Sequence, residues 1–347
     1  MPSDVKNEIL KKLAQAAVKK GVEMSPYIIA EMLYKKIFDH RTFSDPIKRF
    51  EDEDFPLLMK EQVKIPSDKN LLTGYFYNYK NYRSDKLVIF AHGYGNGHHR
   101  YLEIIDYLAS EGFYVFAYDA TSFDESEGEG ILGFPQGAID LSHVIKYIKD
   151  NRHYKEEDIV LIGHSWGAYS IGTVINDYPH ISKVVSFAGF NNGVDLLHEH
   201  GYEWAGEKID DQLPIMRSYE KRKFGKYAEY TVVKGIEIST TKYFFIHSED
   251  DDVVPINIGL RLYEKGNKSN PRTKFKVVKG RGHICYNTVE GNKYFASLKK
   301  EYEKYNKEKE LSFEDKKHLL NLIVDKEKYL HMLDYDLFKE VIEFIKK

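Results

Sequence analysis

Ile159-Val160-Leu161-Ile162-Gly163-His164-Ser165-Trp166-Gly167-Ala168 is the stretch on which the reading of this chain turns. Its first four residues are all apolar, which predicts a short strand buried on both faces. The residues after Gly167 are small or apolar and predict a helix. A strand that passes into a helix through one tight turn holds its central residue in a strained conformation. Side chains two positions away on either side would collide, and Gly163 and Gly167 stand at those two places. Ser165 is then presented at the C-terminal edge of a sheet, where open α/β folds bind ligands. The start of the following helix lies beside it and adds a positive dipole end. A serine hydroxyl is a weak nucleophile near neutral pH. It needs a neighbouring base, so the rest of the chain is read for one.

Outward from this stretch, apolar runs alternate with helical periods. Residues 57–65 and 71–79 predict two strands joined by a turn at Ser67-Asp68-Lys69-Asn70. Further strands are expected at 87–91, 114–118, 183–187, 243–246 and 275–278. Helices are expected around Tyr101, Ile104, Ile105 and Leu108, over 137–149, and from Ser165 onward. This alternation predicts an α/β fold: a mostly parallel sheet of about eight strands with helices on both faces. Residues 1–55 are expected to form an N-terminal helical appendage, with one helix predicted over 4–20 and a second capped by Ser25 with Pro26 at its first position. Residues 56–190 and 241–285 are the two parts of the core. Between them, 191–240 is too long for an ordinary connection and reads as a lid. A charge-rich helical insertion spans 286–333, and an amphipathic helix closes the chain over 334–347.

The 347 residues carry a formal net charge of -3, which gives no general attraction to nucleic acid or anionic lipid. One cysteine, Cys285, leaves no internal disulfide to form. The N-terminus has no unbroken apolar stretch of the kind a signal peptide needs, and no segment approaches the ~18 apolar residues of a membrane span. The expectation is a cytoplasmic protein with a small-molecule substrate. The N-terminal helices and the insertions are its candidate surfaces for a homo-oligomer.

Three further segments supply what Ser165 lacks. His92-Gly93-Tyr94-Gly95 follows the strand at 87–91. Acyl transfer develops an oxyanion that needs preorganised N–H donors, and the candidates are the backbone N–H groups of Tyr94 and Trp166. His92 and Gly93 are expected to support that loop, as Gly163 and Gly167 support the turn at Ser165. Glu249, Asp250, Asp251 and Asp252 follow the strand at 243–246, and any one of them could orient a catalytic histidine. His283 ends the turn Lys279-Gly280-Arg281-Gly282 after the last strand and is the expected base, giving the chain order Ser, Asp, His. His164 is expected to be structural. His98 and His99 have no metal-ligand spacing around them, so no metal site and no cofactor are expected.

With these segments in place, the sequence resembles the α/β-hydrolase superfamily. Within it, the chain is similar to the serine aminopeptidase, monoglyceride lipase and feruloyl esterase group. The resemblance is carried by His92 to Gly95, Tyr118-Asp119, Gly163 to Gly167, Asp251 to Pro255 and Gly282-His283. It implies Asp251 as the triad acid, because that group commonly places Val-Pro shortly after the acid. It implies Tyr94 and Trp166 as the oxyanion donors. The loop from Asp119 to Gly130 departs from the group, with Ala120-Thr121-Ser122-Phe123-Asp124-Glu125-Ser126 in place of an Arg-Gly-His-Gly-x-Ser type of turn. Its acids from Asp124 to Glu129 read either as an exposed loop or as a repellent to anionic substrates. The expected function is hydrolysis of a carboxylic ester with an aryl or medium-chain acyl group. Hydrolysis of small peptides or amides by the same residues is the enzymatic alternative. Ligand binding without catalysis is the alternative of another class.

Overall fold

The computed structural model describes residues 26–82, 84–306 and 311–347. The helix expected over 4–20 lies outside them. The second expected helix is α1 (Pro26–Phe38).

Eight strands form one sheet in the order β1-β2-β4-β3-β5-β6-β7-β8. β1 (Met59–Ser67) and β2 (Asn70–Asn78) make a hairpin, and β2 runs antiparallel to β4 (Tyr114–Tyr118). From β4 onward every pairing is parallel, through β3 (Leu87–Ala91), β5 (Ile159–His164), β6 (Lys183–Phe187), β7 (Lys242–Ser248) and β8 (Thr273–Val278). Each of β3, β5 and β6 is buried at every residue, which is why they read as unbroken apolar runs rather than alternating ones. The first strand begins at Met59 and not at 57, because the Leu58 N–H closes a turn onto the Phe55 carbonyl at 3.0 Å.

Side-chain alternation along the strands splits the core into two layers. Leu87 and Ile89 of β3 face one layer. It includes Leu141 and Val144 of α3 (Gln136–Arg152) and Val174 of α4 (Trp166–Val174). Val88 and Phe90 face the other, which includes Ile104 of α2 (Leu102–Ser110). Tyr34 and Phe38 of α1 belong to the first layer. The second layer is extended by Phe295 and Leu298 of α9 (Val289–Asn306), Leu320 of α10 (Phe313–Ile323) and Tyr329 of α11 (Lys326–Tyr329). Phe338 and Val341 of α12 (Tyr335–Lys346) complete it.

Between β6 and β7 the chain forms α5 (Gly193–Ala205), α6 (Leu213–Phe224) and α7 (Val232–Ile238). α8 (Leu260–Asn267) connects β7 to β8. The sheet order reverses at β3: the chain steps to β4 on one side and then to β5 on the other. The carboxyl ends of β3 and β5 therefore flank a topological switch point, the place where open parallel sheets leave a crevice. Among the described residues no helix is long and apolar enough to cross a membrane.

Candidate active site

Ser165 sits between β5 and α4 at φ 56° and ψ −117°, a conformation that costs a non-glycine residue free energy. The surroundings enforce it. A Cβ on Gly163 would lie 2.6 Å from the carbonyl atoms of Gly167, and a Cβ on Gly167 would lie 2.0 Å from the Ala91 oxygen. The Ser165 N–H donates to the Phe187 carbonyl at 2.9 Å. The turn is thus wedged between the ends of β3 and β6, with Ser165 9% exposed.

The sequence-predicted acid and base meet. His283 Nδ1 lies 2.9 Å from Asp251 Oδ2 and 3.1 Å from Oδ1. Asp251 Oδ1 also accepts the Val253 and Val254 N–H groups, each at 2.9 Å. Burial alone would raise the Asp251 pKa. The hydrogen bonds from His247 and His283 outweigh it and hold the carboxyl well below the usual carboxylate range. Asp250, the neighbouring acid, does something else. It accepts the Ser248 hydroxyl and the Gly280 and Gly282 N–H groups, so it shapes the turn that carries His283. Glu249 pairs with Lys279 at 3.3 Å.

His247 is a site residue that the sequence reading passed over. Its Nε2 lies 3.1 Å from Asp251 Oδ2 and 2.9 Å from the Val254 carbonyl oxygen. Both partners accept, so Nε2 carries the proton. The signal available in the sequence was a histidine at a strand end, four residues before the acid.

On the other side of Ser165, His92 braces the loop after β3. Its Nδ1–H donates to the Gly93 carbonyl and its Nε2 accepts the Ala120 N–H, both at 2.9 Å. Burial lowers its pKa, which keeps it in this neutral form. Among the described residues, neither the Tyr94 N–H nor the Trp166 N–H donates to another group. The Tyr94 ring lies 6.0 Å from that of Trp166, edge-on, and also packs edge-on against Phe38, Phe123 and Phe134. Its hydroxyl donates to the Ile37 carbonyl at 2.8 Å, which ties α1 to the same loop. Among the described residues no hydrogen bond joins the Ser165 hydroxyl to His283. The two are connected instead through His164, whose Nε2 lies 3.0 Å from the His283 carbonyl oxygen.

The segment between β6 and β7 is tied to the loop that carries Asp251. His200 of α5 donates from Nε2 to the Val253 carbonyl at 2.9 Å, two residues beyond Asp251. The acidic loop is only partly the exposed loop expected from its composition. Asp124 is buried, and its two carboxyl oxygens take the Ser44 N–H and hydroxyl, each at 2.6 Å. Glu127 accepts the Leu71 N–H at 2.9 Å, so two of the acids anchor neighbouring segments. His98 is buried against Asp119 at 2.7 Å. Cys285 is buried, and burial pushes its thiol pKa up, away from nucleophilic use.

The profile of the family described as serine aminopeptidase, S33, matches residues 82–209. That span contains the Tyr94 loop and the Ser165 turn but stops short of Asp251 and His283. The chain is 26% identical over 266 residues to the uncharacterized protein YqkD of Bacillus subtilis, covering 71% of this chain and 82% of the relative. It is 26% identical over 214 residues to the uncharacterized protein R595 of Acanthamoeba polyphaga mimivirus, covering 58% of this chain and 68% of the relative. Among solved structures, the Pyrococcus furiosus esterase Pf2001 superposes with a TM-score of 0.54 at 20% identity, covering 75% of this chain and 96% of that one. The α/β hydrolase GrgF from Penicillium superposes with a TM-score of 0.50 at 16% identity, covering 72% and 98%. At these identities the structural likeness speaks for the fold. Strand order, the strained turn at Ser165 and the match over 82–209 agree, and the chain has the α/β-hydrolase fold.

Proposed function

We propose that this protein is a serine hydrolase that cleaves carboxylic esters through Ser165, His283 and Asp251. His283 accepts the Ser165 proton as the hydroxyl oxygen attacks the acyl carbonyl. Asp251, ionised and buried, holds the imidazole through Nδ1 and balances the charge it gains. The backbone N–H groups of Tyr94 and Trp166 take the oxyanion. The alcohol leaves with the proton from His283, and water then repeats the sequence on the acyl-enzyme. The observation that carries this reading is the Asp251–His283 hydrogen bond at 2.9 Å, in the same structure that strains Ser165 at the switch point.

An apolar acyl group is favoured by the rings beside the turn. Tyr94, Phe134 and Phe190 form a continuous aromatic series there, with Phe134 and Phe190 5.3 Å apart. The relative from Pyrococcus furiosus is itself named an esterase. Amide cleavage by the same residues is the second reading, favoured by the name of the family matched over 82–209. Initial rates on a series of p-nitrophenyl esters, from acetate to octanoate and benzoate, set against matched anilides, separate the two. Ester turnover that exceeds anilide turnover and vanishes in Ser165→Ala is expected. Faster anilide cleavage would replace the first reading with the second.

A further inference from the structure

The proposed reaction needs three backbone segments in fixed register: the loop carrying the Tyr94 N–H, the turn carrying Ser165 and the loop carrying His283. One file of buried hydrogen bonds runs through all three. The Gly93 N–H donates to the Tyr101 hydroxyl oxygen at 3.0 Å. That hydroxyl lies 3.0 Å from His164 Nδ1. His164 Nε2 lies 3.0 Å from the His283 carbonyl oxygen.

The ends of the file fix its direction. An amide N–H can only donate and a carbonyl oxygen can only accept. His164 must therefore carry its proton on Nε2, leaving Nδ1 bare to accept the Tyr101 hydroxyl proton. Tyr101 is 2% exposed and His164 5% exposed, so water does not substitute for any member. Burial lowers the His164 pKa to about 3, which keeps the ring neutral and the file intact near neutral pH. The packing is close. A Cβ on Gly93 would meet the Tyr101 hydroxyl at 2.8 Å and His164 Nδ1 at 3.2 Å. The His164 ring lies 4.7 Å from that of His283 and meets Tyr286 edge-on at 5.0 Å.

Each link touches a residue next to a reacting group, or the backbone of one. Gly93 precedes Tyr94, His164 precedes Ser165, and the last acceptor belongs to His283 itself. We propose that Tyr101 and His164 are positioning residues that set the oxyanion loop, the nucleophile turn and the base loop relative to one another, acting through the backbone and not on the substrate. This rests on the serine-hydrolase reading. Small misplacements of reacting groups lower turnover steeply, by as much as ~100-fold for about 1 Å.

The test uses Tyr101→Phe, which deletes one oxygen, His164→Phe, which keeps a ring but neither nitrogen, and the double variant. Competent Ser165 is counted by titration with a fluorophosphonate, and kcat per titrated site, KM and Tm are measured on an ester substrate. Each single variant is expected to lose roughly 10- to 100-fold in kcat per titrated site at unchanged KM. The double variant is expected to fall no further than the worse single one, because a file broken once is already broken. Two results would overturn the proposal: kcat per titrated site within about twofold of wild type, whatever the Tm, or losses that multiply in the double variant. Should His164→Phe fail to fold, Tyr101→Phe decides by the same kcat criterion. A wild type that labels and turns over beside variants that match it refutes this inference alone. A folded wild type that neither labels nor turns over refutes the hydrolase reading, and this inference with it.

Discussion

Asp251 receives hydrogen bonds from four donors, and two of them are histidines. These bonds hold its carboxyl well below the usual carboxylate range in the folded protein, while in the unfolded chain it titrates near pH 3.9. A depressed folded pKa adds stability above the unfolded value, and that stability is lost as pH falls below about 4 toward the folded value. Asp251→Asn should thus flatten the acid limb of a urea-midpoint profile below about pH 4. It should also lower kcat by roughly 10³- to 10⁴-fold, since the amide cannot hold the imidazole in the same tautomer. Asp250→Asn should stay within about tenfold of wild type, because that side chain holds the 280–282 turn and does not reach the His283 ring. Comparable rates for the two variants would undo this assignment. The sequence could narrow the acid to a run of four carboxylates but not choose among them by chemistry. Carboxylates in one run differ only in direction, and only the resemblance, with Val-Pro shortly after its acid, favours Asp251. His247 escaped notice for a related reason: a histidine in an apolar strand reads as core until its partner is placed.

At the scale of elements, the turn between β5 and α4 was legible because two glycines around a serine leave little else for the chain to do. The apolar run before it stops at Ile162, and a strand predicted from that run stops there too. The sheet carries it two residues further, with Gly163 opposite Ser186 and His164 opposite Phe187. Pairing with a neighbour overrode local propensity. The same pairing leaves no room for a side chain at the turn. Gly167→Ala should destabilise the fold by on the order of 3 kcal/mol, the upper end of ordinary overpacking, because the atom it meets at 2.0 Å is backbone. Chemical denaturation checks this directly. A loss under about 0.5 kcal/mol, the size of an ordinary surface change, would show the elbow to be looser than described.

At the scale of the whole molecule, the segments flanking the core are joined to it in ways that periodicity could not show. Tyr34 of α1 donates to Glu220 of α6 at 3.0 Å, across 186 residues of chain, and the Tyr34 and Tyr219 rings lie 4.3 Å apart. α1 thus touches both α6 and, through Ile37 and Phe38, the Tyr94 loop. A sequence pattern reports which face of a helix is apolar, not which distant segment that face meets. Glu220 makes this docking sensitive to pH. Burial raises its pKa to about 7, against about 4.3 in an unfolded chain. A raised carboxyl favours folding while protonated, so its contribution declines as pH rises from about 4.3 to about 7 and is level above that. Glu220→Gln keeps an acceptor for Tyr34 and removes the ionisation. Its stability advantage over wild type should be larger at pH 8 than at pH 5 in urea melts, and an equal gap at both values would contradict the assignment. Glu103, raised likewise to about 7 by burial, leaves a residual slope in both proteins.

The central claim is that the strained Ser165 is a nucleophile activated by His283. Its most direct test is to treat the folded protein with a fluorophosphonate and locate the adduct by peptide mass spectrometry. One adduct per chain on Ser165 is expected, absent in Ser165→Ala and after denaturation, and strongly slowed in His283→Ala. No adduct on the folded wild type, or an adduct that persists in Ser165→Ala, would contradict it.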